Sequence, residues 1–136
     1  MIKTKIYSPK QIYISAFLGG PIAMVFVLKK NFDVLGNKAD SKKTIIWGSI
    51  FNILLFLSLP FLSKNHFPHI ILPIIYSVVA TQIAEKYQMS KQSILDSQQY
   101  GFQSNWNVFG MSIGFLIATF VIFMLGLIGL QSLGLF

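Results

Sequence analysis

Four apolar stretches, 11–28, 44–62, 68–84 and 108–130, follow one another with only short polar links between them. A helix needs about 20 consecutive apolar residues, with ~17–25 tolerated, to cross a hydrocarbon core. The second and fourth stretches have that length. The third is short, runs from Ile70 to Ala84 with Pro68 as its expected start, and can continue as helix past Glu85 into the headgroup region. Charged residues make up 11% of the chain and hydrophobic residues 54%, whereas soluble domains carry about 25% charge. A water-facing surface would be short of polar side chains, so lipid is the solvent that fits. The expected fold is an all-α membrane protein, a single integral membrane domain over residues 1–136. It has three spanning helices plus a first apolar segment that is either a broken re-entrant hairpin or a kinked fourth span.

The first segment differs because Gly19, Gly20 and Pro21 stand at its centre. Two glycines and a proline inside a helix cost ~5 kcal/mol relative to alanines. Pro21 has no N–H, and its ring would collide with the carbonyl of Phe17. In lipid such a break survives only where neighbouring helices or a wet cavity satisfy the freed backbone groups.

Lysine placement bears on which form the break takes. The chain has eleven basic residues, all lysine: three in the N-terminal tail, five from Lys29 to Lys43, Lys64 alone after the second stretch, and Lys86 with Lys91 before the fourth. Four full spans would put seven lysines on one side and four on the other; a first segment that dips in and returns makes the split ten to one. The positive-inside rule favours the hairpin and places the N-terminus and the 29–43 link in the cytoplasm. A kinked span with Pro21 packed against its neighbours is the plain alternative. In the hairpin, Pro21 opens a half-helix whose positive dipole end lies at membrane depth. Transporters use such ends as substrate sites, which makes Gly19, Gly20 and Pro21 a candidate solute or ion site.

Helix starts are marked in two places. Ser8-Pro9-Lys10-Gln11 combines an N-cap serine, a first-turn proline and a glutamine placed for a capping box. Ser104-Asn105-Trp106-Asn107 opens the fourth helix, with Asn105 or Asn107 as the expected cap and Trp106 at the headgroup level. Lys3, Lys5 and Lys10 ahead of an apolar run resemble a signal peptide, but no small-residue cleavage site follows and the N-terminus is expected to be retained.

Gly110, Gly114 and Ala118 recur every four residues and form a helix-packing face, for another helix of this chain or for a second copy. Ser77, Thr81 and Glu85 share one helix face and, with Asn52, make a possible polar seam in which Asn52 is expected to bond between helices. Glu85 beside Lys86 reads as a headgroup-level carboxylate, and Asp33 and Asp40 are expected to pair with lysines of their link. No cofactor is implied. Cysteine is absent, and His66 and His69 flank Pro68 without an acidic ligand, so no metal site is expected. Four acidic residues supply no catalytic constellation, and an enzyme is not expected. Nor is nucleic-acid binding, since the lysines sit in links between apolar blocks and suit anionic lipid headgroups.

Tyr7-Ser8-Pro9-Lys10-Gln11, Phe17-Leu18-Gly19-Gly20-Pro21-Ile22-Ala23 and Asn31-Phe32-Asp33-Val34-Leu35-Gly36, with the later Ser104-Asn105-Trp106, resemble a group of small uncharacterised bacterial multi-pass membrane proteins. The resemblance implies a bacterial inner-membrane location and brings no activity, cofactor or catalytic residue. The function expected is a helix-packing, interaction or accessory membrane subunit, as a homo-oligomer or with another membrane protein. The alternative is a small oligomeric channel or transporter built around the broken first segment.

Overall fold

The computed structural model describes residues 3–64 and 71–134, with the backbone alone for 59–64. The elements run β1 (Thr4–Ile6), α1 (Pro9–Val34), α2 (Lys38–Lys64), α3 (Ile71–Tyr87), α4 (Lys91–Asp96), β2 (Tyr100–Phe102) and α5 (Asn105–Ser132). The chain is mostly helical, and among the described residues α1 and α5 are long and apolar enough to cross a membrane. Pro68, His66 and His69 lie outside the described residues.

α1 is not a straight rod. The Tyr7 N–H donates to Asn31 Oδ1 at 2.9 Å, yet 24 residues of continuous helix would separate these positions by ~36 Å. The chain reverses at Gly20, whose φ of 89° and ψ of −177° interrupt the helix, leaving two antiparallel arms, 9–19 and 21–34. Ile12 from one arm and Val27 and Leu28 from the other meet in one buried cluster with Tyr7, Ala80, Ala84 and Val108. Ser15, Ala16, Gly19 and Ala23 are all buried near the reversal, and side chains this small let two backbones approach closely. The first arm starts on the expected capping box: Gln11 N–H donates to Ser8 Oγ at 3.2 Å and Ser8 N–H to Gln11 Oε1 at 3.0 Å.

The hairpin is the centre of the molecule, and α2, α3 and α5 pack around it. α3 turns Tyr76, Ser77, Ala80 and Ala84 inward, and α5 turns Val108, Ser112 and Thr119 inward. α2 comes close at Gly48, where a Cβ would collide with the Val25 side chain. Phe26 and Phe115 stack at 5.1 Å between the second arm and α5. Further along, Phe56 of α2 meets Phe123 of α5 at 5.7 Å.

The N-terminal tail, the 35–37 link and the 88–104 link gather at one end. β1 and β2 pair in parallel with Lys5 opposite Gly101, Lys3 Nζ donates to the Ser97 carbonyl at 3.0 Å, and Asn31 Nδ2 donates to Gln88 Oε1 at 2.8 Å. Ten of the eleven lysines belong to these segments or to the helix ends beside them.

Several local expectations need correcting. The helices outrun the apolar stretches, α1 continuing past Leu28 to Val34 and α2 starting at Lys38, ahead of Thr44, because apolarity marks only part of a helix. Polar bonds carry the helices further: Lys29 pairs with Asp33 at 2.6 Å, and Ser41 Oγ donates to Asp33. Asp40 makes no salt bridge to a lysine among the described residues. Its Oδ2 accepts from Asn37 Nδ2 at 2.7 Å while its N–H donates to Asn37 Oδ1 at 3.1 Å, which caps α2. Neither Asn105 nor Asn107 caps α5. Ser104 holds that position without a side-chain bond, and Asn105 Oδ1 accepts instead from Gln11 Nε2 at 3.0 Å.

Candidate functional site

The reversal seats Gly19, Gly20 and Pro21, all buried, on the middle of α5. A Cβ on Gly19 would lie 3.1 Å from the Ser112 carbonyl oxygen and 2.6 Å from Ala23 Cβ. Glycine is required there for close approach. At Gly20 the requirement is conformational, since its φ and ψ fall in a region essentially restricted to glycine. Thr119 lies two helical turns beyond Ser112, and its Oγ1 would be 3.5 Å from a Cβ on Gly20.

Thr119 Oγ1 is buried with no hydrogen-bond partner. Hydroxyls buried in apolar helices usually bond back to the carbonyl four residues earlier. Ser112 does this with Val108 at 2.6 Å, and Thr81 with Ser77 at 2.8 Å. Ser15 and Ser77 share the unpaired condition of Thr119. Among the described residues three unpaired hydroxyls therefore lie in the hairpin or on helices packed against it, and one of them faces its tip. From Asn105 to Thr119 is ~21 Å of helix, half of α5 at 1.5 Å per residue.

At the opposite end the two arms are tied together and to their neighbours. Asn31 Nδ2 donates to the Tyr7 carbonyl at 2.9 Å, and Gln88 Nε2 donates to the Leu28 carbonyl at 3.0 Å. Gln11 Nε2 donates to the Gln103 carbonyl at 2.7 Å as well as to Asn105. The Tyr7 hydroxyl reaches Met111 Sδ at 3.5 Å. Around Gln11 opens a cavity of about 750 Å³ lined by Ser8, Lys10, Gln11, Lys91, Asn105 and Trp106. The Ser8–Gln11 and Ser104–Trp106 motifs, distant in sequence, thus meet at one place. Trp106 is 83% exposed beside it. Nothing in the sequence pairs these two motifs, because Gln11 bonds to a residue that reads as a local helix cap.

The polar seam does not join into one network. Asn52 Nδ2 donates to the Gly48 carbonyl of its own helix at 2.8 Å rather than across to a neighbour. Ser77 is buried against the hairpin, Thr81 bonds to Ser77's carbonyl, and Glu85 is exposed. Gly110, Gly114 and Ala118 are exposed on the face of α5 turned away from the hairpin. A Cβ on Gly110 or Gly114 would meet nothing within 4 Å. That face has no partner among the described residues of the chain. No group of three or more potential metal ligands occurs among the described residues.

The fold and site define a mostly helical protein in which α1 and α5 are, by length and composition, able to cross a membrane, with α1 folded back at Gly20 and largely buried. Comparison with family models, with curated proteins and with solved structures gives no match.

Proposed function

We propose that this chain is an integral protein of the bacterial cytoplasmic membrane that works as a helix-packing or accessory subunit. In this reading α2, α3 and α5 span the bilayer, and α1 enters from the lysine-rich side, turns at Gly20 and returns. The positive-inside rule then puts that side in the cytoplasm, where its lysines meet anionic headgroups. An arm of about 11 to 14 residues reaches ~16–21 Å, enough to bring the tip to the middle of a ~30 Å core.

One observation carries the subunit role: α5 is covered on one side only. Only 6% of its apolar window is buried within the chain, while Gly110, Gly114 and Ala118 stay open. Small residues in a row give a helix a surface another helix can approach, and lipid chains fill such a surface poorly. The absence of cysteine makes disulfide scanning clean. Single cysteines at Gly110, Gly114 and Ala118 are expected to give crosslinked dimers in native membranes, with lower yields at Leu116 and Phe120. Equal yields at all five positions would mean random collision and would sink the homo-oligomeric form of this reading.

A second reading, a small oligomeric channel or transporter, is favoured by the unpaired Thr119 hydroxyl at the hairpin tip. The half-helix that begins at Pro21 points its positive end toward that tip. Solute or ion flux in liposomes, abolished by Gly20→Leu and by Thr119→Val in protein that still folds, would support it. Flux no greater than in protein-free liposomes removes it.

A further inference from the structure

A cleft of about 490 Å³ lies between the second arm of α1, α2 and α3, within the ~300–1,000 Å³ usual for sites that take small apolar ligands. Val25 and Leu28 of α1, Phe51 of α2, and Val79 and Ile83 of α3 line it. Its deep end is the edge-on pair of Phe51 and Tyr76, with ring centroids 6.1 Å apart. Its outer end carries Lys43, Thr44, Trp47 and Tyr87, with Asp40 beside them. From Lys43 to Phe51 is ~12 Å of helix. In a bilayer that is most of one leaflet's hydrocarbon depth, ~15 Å.

The slot is thus apolar where acyl chains lie, and polar and aromatic, within a segment of net positive charge, where headgroups lie. The charge at its mouth has a sign. Segment 29–43 holds five lysines against Asp33 and Asp40. Asp33 is taken up by Lys29 at 2.6 Å, and Asp40 keeps its charge beside the neutral Asn37 amide, so five lysines against two aspartates leave the segment a net +3. Among the described residues Lys43 forms no salt bridge, although Asp40 lines the same mouth three residues earlier. Trp47, 68% exposed, and Tyr87 carry the amphipathic rings that prefer the headgroup level. A water-soluble ligand would find few polar partners on the cleft walls. A zwitterionic lipid would bring a cation to a segment whose net charge is already positive.

We propose that this cleft is a binding site for one acyl chain of an anionic phospholipid, with the phosphate seated against Lys43. The site deepens the membrane reading above and rests on it.

The chain has two tryptophans, so Trp106→Phe leaves Trp47 as the single fluorescent reporter in the cleft. The full-length variant is reconstituted in phosphatidylcholine vesicles with rising fractions of dibrominated phosphatidylglycerol or dibrominated phosphatidylcholine, whose bromines quench tryptophan on contact. The brominated phosphatidylglycerol is expected to reach half-maximal quenching of Trp47 at a several-fold lower mole fraction. Lys43→Gln is expected to abolish that preference. Lys42→Gln, which removes the same charge from an exposed residue outside the cleft lining, is expected to keep it. Val79→Phe is expected to reduce quenching by both lipids; should that variant not fold, the two lysine variants suffice. Equal quenching by the two lipids overturns the proposal. Equal loss of preference in both lysine variants does the same, since a diffuse basic surface would then explain the data. Protein that resists carbonate extraction yet shows no preference refutes this inference alone, whereas protein that carbonate extracts refutes the membrane reading beneath it.

Discussion

Asn31 holds Tyr7 by both of its backbone groups. The Tyr7 N–H donates to Asn31 Oδ1 and Asn31 Nδ2 donates to the Tyr7 carbonyl, each at 2.9 Å. The side-chain amide does for Tyr7 what a neighbouring strand's peptide would do. Both residues are about 1% exposed, so neither backbone group of Tyr7 has water as a substitute. Because Tyr7 precedes the first arm and Asn31 lies near the end of the second, this pair closes the base of the hairpin. Gln88 extends the closure to α3 through its bonds with Asn31 and Leu28.

Removing that amide should open the base. Asn31→Ala leaves the Tyr7 N–H and carbonyl unpaired, and a buried unsatisfied group costs about 1–3 kcal/mol. A destabilisation of about 2–4 kcal/mol is expected in thermal unfolding of the detergent-solubilised protein. Gln88→Ala should cost less, since Asn31 keeps both bonds to Tyr7. A loss below that of Gln88→Ala would show that Asn31 does not close the hairpin.

The three glycines at chain reversals and close contacts should separate by mechanism. Gly20→Ala forces a side chain into a conformation that costs about 1–3 kcal/mol. Gly19→Ala keeps its backbone but drives a methyl into Ala23 and the α5 backbone, an overpacking penalty of about 1–3 kcal/mol. Gly36→Ala sits in open space at φ 77° and carries only the left-handed backbone cost, about 1–2 kcal/mol. Replacing Ala23 by Gly, which removes the Cβ that the new methyl would meet, should relieve part of the Gly19→Ala penalty and none of the Gly20→Ala penalty. Melting temperatures of the single and double variants check the order.

Side-specific labelling tests the re-entrant proposal. Single cysteines at Thr4, Ala39 and Gln98, all exposed, are expected to react with an impermeant maleimide from the same face of right-side-out or inverted vesicles. Labelling of Thr4 and Ala39 from opposite faces would establish that α1 crosses the bilayer fully.

Gln11 and Asn105 should behave as a coupled pair. Their bond of 3.0 Å links the first turn of α1 to the first turn of α5. A double-mutant cycle of Gln11→Ala and Asn105→Ala is expected to give a coupling of about 0.5–3 kcal/mol. Gln11→Ala alone should cost more than Asn105→Ala, since it also gives up the capping box and the Gln103 carbonyl. Simple additivity of the two losses would contradict the observed contact.

The helical class of this protein, the capped start at Ser8 and the break at Gly20 are all legible in its sequence. Each depends on a property of one short stretch: apolar length, a four-residue hydrogen-bond pattern, a backbone region closed to side chains. The small β1–β2 pair and α4 are not legible, because three-residue strands and a six-residue helix carry too little periodicity to stand out. The helix boundaries at Val34 and Lys38 escape for a related reason, since polar bonds rather than apolar burial sustain them.

What the sequence by itself determined is where the first helix must break, since glycine and proline act through their own backbone whatever surrounds them. It left open whether the break was a kink or a reversal. Only the tertiary structure shows the two arms brought back together, through the bonds between Tyr7 and Asn31 and the seating of Gly19 on Ser112. A local break sets the flexibility of the chain but not its angle; the angle comes from contacts between residues far apart in sequence. The same holds for the outer face of α5: spacing shows that Gly110, Gly114 and Ala118 form a row, while only packing shows that the described residues of the chain leave it uncovered.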